Sequence, residues 1–128
     1  MIKALFFILA TVSPSIAIAA HELDDRDVTA GKDLYAENCA SCHGLDLEGQ
    51  PNWRIANEDG TLPAPPHDET GHTWHHDNQL LFAYTKLGGE AALAARGITN
   101  FKSGMPGFED VISDEEIWTI LAYIRSTW

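Results

Sequence analysis

Residues 39–44 read Cys39-Ala40-Ser41-Cys42-His43-Gly44, and the chain has no other cysteine. Both thiols and an adjoining imidazole therefore fall within five residues. Three chemistries use such spacing: a disulfide or thioredoxin-like redox pair, half of a zinc site, and covalent haem attachment, for which Cys-x-x-Cys-His is the sequence signal. In the last case each thiol adds to a vinyl group, and the histidine lies beneath the iron. A thiolate zinc site needs a second cysteine pair, although histidines can substitute. A redox pair needs a strand–helix–strand setting, and no convincing run of strands is present. Attachment needs export, a second iron ligand and a helical shell.

Working outward, residues 1–20 read MIKALFFILATVSPSIAIAA. A basic start, a short apolar run broken by Pro14, and Ala17-Ile18-Ala19 form a secretory signal pattern, with cleavage expected after Ala19 or Ala20. The run is too short to span a bilayer, so no membrane anchor is expected to remain. Residues 20–128 then form one domain of ordinary size. The chain holds 8 Lys and Arg against 19 Asp and Glu, a net charge of −11, and loss of Lys3 makes the balance more negative. Such a charge argues against nucleic acid and anionic membrane surfaces as partners; it suits a basic docking partner, and serves solubility alone equally well.

Three helical stretches stand out. The first is expected over 28–38, capped by Asp27 or Thr29, with Gly31, Leu34, Tyr35 and Asn38 on one face. Gly31 costs a helix about 1 kcal/mol against alanine, so another helix is expected to approach it closely. The middle helix begins at Asp77, runs through Leu80, Leu81, Tyr84 and Leu87, and stops at Gly88-Gly89. A shorter turn covers 91–96. The last opens at Ser113-Asp114-Glu115-Glu116, a capping box with acidic residues at the positive end of the helix dipole. Ile117, Ile120, Leu121 and Ile124 form its buried stripe.

The stretch from Gly49 to Thr73 lacks periodicity and contains Pro51, Pro63, Pro65 and Pro66. A loop this long inside a compact domain is reasonable only if it wraps something large. Beyond the leader the one methionine is Met105, in Ser103-Gly104-Met105-Pro106-Gly107-Phe108. Methionine is usually a core gap-filler. On a stiff Gly/Pro loop its thioether also suits iron ligation opposite a histidine, a pairing that raises the reduction potential.

With these parts assembled, the mature chain resembles the class I cytochromes c. Gly31 and Tyr35 ahead of Cys39, and Ile120 with Tyr123 in the last helix, match the family's crossing of N- and C-terminal helices. The resemblance implies an all-α cytochrome c fold with short helices and long loops around one covalent haem c. It implies attachment through Cys39 and Cys42, with His43 and Met105 as iron ligands. It also implies a loop proline carbonyl accepting from His43 Nδ1, for which Pro51 is the candidate. The implied function is a periplasmic carrier of single electrons between an oxidase, reductase or dehydrogenase and other redox proteins. A monomer is the default expectation, and the protein is not expected to be an enzyme on its own.

The segment 62–78, LPAPPHDETGHTWHHDN, departs from a minimal member of that family and holds His67, His72, His75 and His76. Three readings stand. The histidines are ordinary loop residues, with Trp74 packed near a haem edge or propionate. They bind a metal such as copper, with Asp68 and Glu69 close by. Or one displaces Met105. A labile or histidine-substituted sixth position would make the protein a sensor or ligand-binding enzyme subunit. The rigid Met105 loop favours the carrier.

Overall fold

A computed structural model describes residues 22–128; the leader expected over 1–19 lies outside them. Among the described residues are α1 (Val28–Asn38), α2 (Ala40–His43), a 3-10 turn (Thr73–His75), α3 (Asn78–Leu87), α4 (Gly89–Ala94) and α5 (Asp114–Arg125), with no strand. The architecture is all-α, as expected. No helix among the described residues is long and apolar enough to cross a membrane.

Asp27, not Thr29, caps α1: its carboxylate accepts from the N–H groups of Thr29 and Ala30 at 2.9 and 3.0 Å. Asp27 precedes the helix in extended backbone and can turn its side chain back onto the orphan donors. At the other end of the chain Ser113 and Glu116 form the reciprocal capping box of α5.

The two helices cross at Gly31. A Cβ there would press into the Thr119 carbonyl oxygen and come within 2.9 Å of Tyr123 Cβ. The missing side chain lets α5 approach closely enough to bury Tyr35, Ile117, Ile120, Leu121, Tyr123 and Ile124 in one cluster with Leu23, Leu47 and Ile112. Tyr35 is 1% exposed, and its ring meets that of Tyr123 at 5.5 Å. Arg26 closes the crossing with an ion pair to Glu115 at 2.9 Å.

The helix α3 joins this pair through Phe82, which stacks on Trp118 with ring centroids 4.3 Å apart, and through Lys86, paired with Asp114 at 2.7 Å. Gly88 ends α3 with φ +84, a conformation that favours glycine. Gly89 does not prolong the stop but opens α4.

The long loop is tied down by backbone bonds. Gln50 N–H donates to Ala64 O, and His67 N–H to Leu47 O, each at 2.8 Å. These two bonds lay segment 64–67 along segment 47–50, directly beside α2.

Candidate functional site

The helix α2 is a single turn. Cys39 caps it, and the N–H of His43 donates back to the Cys39 carbonyl at 3.0 Å. Residues three apart share a helix face, so both thiols point to one side. Neither forms a disulfide; Cys42 is exposed and Cys39 partly so. Burial, with Cys42 nearby, pushes the Cys39 thiol up to about 11. Gly44 ends the turn at φ +81, and its carbonyl accepts from the Tyr35 hydroxyl at 2.8 Å. The helix crossing is thus wired to the Cys-x-x-Cys-His turn.

His43 is buried, and burial pulls its pKa below the ordinary value despite an opposing hydrogen bond to the Pro65 carbonyl. That bond spans 2.9 Å from Nδ1. A carbonyl can only accept, so Nδ1 carries the hydrogen. In the neutral ring Nε2 then has a free lone pair, the state in which imidazole binds a metal. The donor set is therefore two thiols on one face and an oriented, unprotonated nitrogen beside them. It fits a covalently attached haem iron and leaves a zinc site short of ligands.

The acceptor is Pro65, which corrects the expectation of Pro51. Pro51 lies exposed in the turn over 51–55. The pairing of 47–50 with 64–67 brings the Pro65 carbonyl over the ring instead. Gly49, at φ +66, makes the pairing possible: a Cβ there would come within 2.6 Å of the Pro65 carbonyl carbon.

Sequence reading also missed the place of His67. Its ring stacks on that of His43, with centroids 4.1 Å apart and planes 23° apart. Burial, reinforced by His43 and His72, pushes it down to about 3. The one sequence signal was its position two residues after Pro65.

The remaining loop histidines form a separate group. His72 stacks on Trp53 at 5.2 Å, and His72, His75 and His76 meet tilted or edge-on at 4.4 to 5.5 Å. His72 Nδ1 is buried with no hydrogen-bond partner. Yet no group of three or more His, Cys, Asp or Glu side chains among the described residues is disposed to hold a metal ion, so the copper reading gains no geometric support. Trp74 is 53% exposed, and its Nε1 donates to Gly71 O at 3.2 Å, bracing the loop on itself.

Met105 sits on the loop between α4 and α5. Its N–H donates to the Ser103 hydroxyl at 3.1 Å, and its carbonyl accepts from Gly89 at 3.3 Å. Gly88 packs against the same carbonyl and against Gly107, so the junction of α3 and α4 holds the methionine's carbonyl in place.

The cytochrome c family model matches residues 28–128. Cytochrome c6 of Limnospira maxima is 32% identical over 100 residues, covering 77% of this chain and 90% of that protein. A cbb3-type cytochrome c oxidase subunit, CcoP of Azospirillum sp. (strain B510), is 31% identical over 104 residues, covering 80% of this chain but 29% of that subunit. A nitrite reductase of Stutzerimonas stutzeri is 25% identical over 120 residues, 85% of this chain and 17% of the enzyme. The chain thus spans less than a third of the oxidase subunit it matches. No solved structure matches at comparable stringency.

Proposed function

The chain belongs to the cytochrome c family, and on that premise we propose that it is an exported carrier of single electrons whose haem is held by Cys39 and Cys42 and whose iron is ligated by His43 and Met105. Membership brings one covalently bound haem c. Once bound, that group supplies the Fe(II)/Fe(III) couple; the protein's residues decide how easily it cycles.

Cys39 and Cys42, on one face of a one-turn helix, anchor the group at two points. His43 is held at Nδ1 by Pro65, which sets its tautomer, and a hydrogen-bonded ligand is more basic. Met105, on a loop held by its bonds to Ser103 and Gly89 and by the fixed φ of Pro106, offers a soft neutral donor. His/Met ligation favours the reduced state and raises the potential. Two protein ligands leave no open iron position, so the reading is a carrier and not an enzyme by itself. The relatives include both cytochrome c6 proteins and subunits of larger enzymes, and the proposed partners are a terminal oxidase or reductase and its donor. The acidic surface supports docking to a basic face, and the leader pattern supports a periplasmic site.

The observation that carries the reading is the His43 Nδ1–Pro65 bond beside two free thiols, which leaves Nε2 as the donor. The test is optical. The ferric protein should show the weak long-wavelength band of a methionine sulfur–iron bond, and Met105→Ala should abolish it. Rapid stoichiometric carbon monoxide binding by the reduced wild type would overturn the carrier reading in favour of ligand chemistry.

A further inference from the structure

We propose that His67 is a positioning residue for the axial histidine: an imidazole that never ligates but fixes the plane of the His43 ring by packing against one of its faces. The inference rests on His43 being an iron ligand.

The geometry separates this role from ligation. Two imidazoles on opposite sides of one iron point end-on at it, which puts their centroids roughly 6 Å apart given metal–nitrogen bonds of about 2 Å. His43 and His67 instead lie face to face at 4.1 Å. His67 therefore occupies the flank of His43 and is not a candidate for the position opposite it.

Pro65 alone leaves the ligand one freedom. A single hydrogen bond tethers Nδ1, but such bonds tolerate a range of donor–acceptor distances and angles, so small tilts of the ring plane remain open. A flat neighbour against the ring face removes these tilts. For this the neighbour must itself be rigid, and His67 is held from four directions. Its N–H donates to Leu47 O at 2.8 Å, and its carbonyl accepts from Trp128 Nε1 at 3.1 Å. Its Nδ1 lies 2.8 Å from the Thr73 hydroxyl, and Thr73 is buried. Its ring edge meets Tyr35 at 6.3 Å and 76°. The loop carrying Thr73 is itself locked, since a Cβ on Gly71 would come within 2.8 Å of the Pro66 carbonyl carbon.

The test is electron paramagnetic resonance of the ferric, haem-loaded protein, whose g-values report the orientation of the axial imidazole plane. Expected are a shifted or broadened low-spin signal in His67→Ala and recovery of the wild-type signal in His67→Phe, which restores a flat ring without polar atoms. Should His67→Ala fail to fold, Thr73→Val, which frees the His67 ring to tilt, is read in the same way. An unchanged signal in His67→Ala or Thr73→Val, or failure of His67→Phe to restore it, overturns the proposal. A wild-type spectrum without a low-spin histidine–iron signal overturns the site reading itself, and the positioning role with it.

Discussion

Gly31 sets the distance between α1 and α5, and the two effects of filling it oppose each other. Alanine in mid-helix is favoured over glycine by about 1 kcal/mol. The new methyl would, however, strike the Thr119 carbonyl and Tyr123 Cβ, both parts of α5's own framework, which cannot yield without moving the helix. Overpacking a tight contact costs about 1–3 kcal/mol, and backbone atoms sit at the upper end of that range. Gly31→Ala should therefore lower stability by about 2 kcal/mol net. Denaturant unfolding of the haem-loaded protein checks it; a midpoint at or above the wild type would show that the crossing relaxes. The need for a close approach was legible in the sequence, because a glycine at a helical position is a local anomaly. The Pro65 contact was not. Four prolines stand in the loop, and the choice among them depends on Gln50 meeting Ala64 and His67 meeting Leu47, contacts between segments that no local pattern encodes.

Capping chemistry makes the ends of α5 the most predictable element. Ser113 Oγ accepts from the Glu116 N–H at 3.3 Å, and the Glu116 carboxylate accepts from the Ser113 N–H at 2.7 Å. Ser113→Ala should cost about 1 kcal/mol, read as a lowered unfolding midpoint. The Glu116 side of the box depends on pH. The bonds from Ser113 hold its carboxyl below the ordinary 4.5. A carboxyl depressed in the folded state stabilises fully above its unfolded pKa and loses that effect as pH falls through the folded one. The gap in midpoint between wild type and Glu116→Ala should thus be constant at neutral pH and narrow below pH 4.5. A gap that persists in acid would mean that the carboxylate charge plays no part. The start of this helix was legible because every partner lies within three residues. The turns α2 and Thr73–His75 were not: a one-turn helix has no periodicity to read. It persists through distant bonds, such as Gly49 N–H to His43 O at 2.7 Å and the Tyr35 hydroxyl to Gly44 O.

At the scale of the whole molecule, titrating groups govern acid stability and net charge governs docking. Burial, then neighbouring imidazoles, pulls His72 and His76 below the ordinary 6.5. A base depressed in the folded state is bound by protons first in the unfolded chain, so stability falls as pH drops below about 6.5. Thermal midpoints should begin to decline there, and the decline should flatten in His72→Gln/His76→Gln. The chain as a whole is strongly acidic, while Arg54 places a positive charge over the Trp53 ring at 4.4 Å, beside His72. Which of the two fields surrounds the point of electron exit is decided by small oxidants of opposite charge. Surface charges interact over about 10 Å at 0.1 M salt, so the local field, not the net charge, sets the rate. If exit occurs through the acidic surface, oxidation of the ferrous protein by a cationic cobalt complex should slow with added salt and oxidation by ferricyanide should quicken. This is the outcome expected for a carrier that docks on a basic partner. The opposite pair of slopes would place the exit beside Arg54 and His72 and make an acidic face the partner's complement.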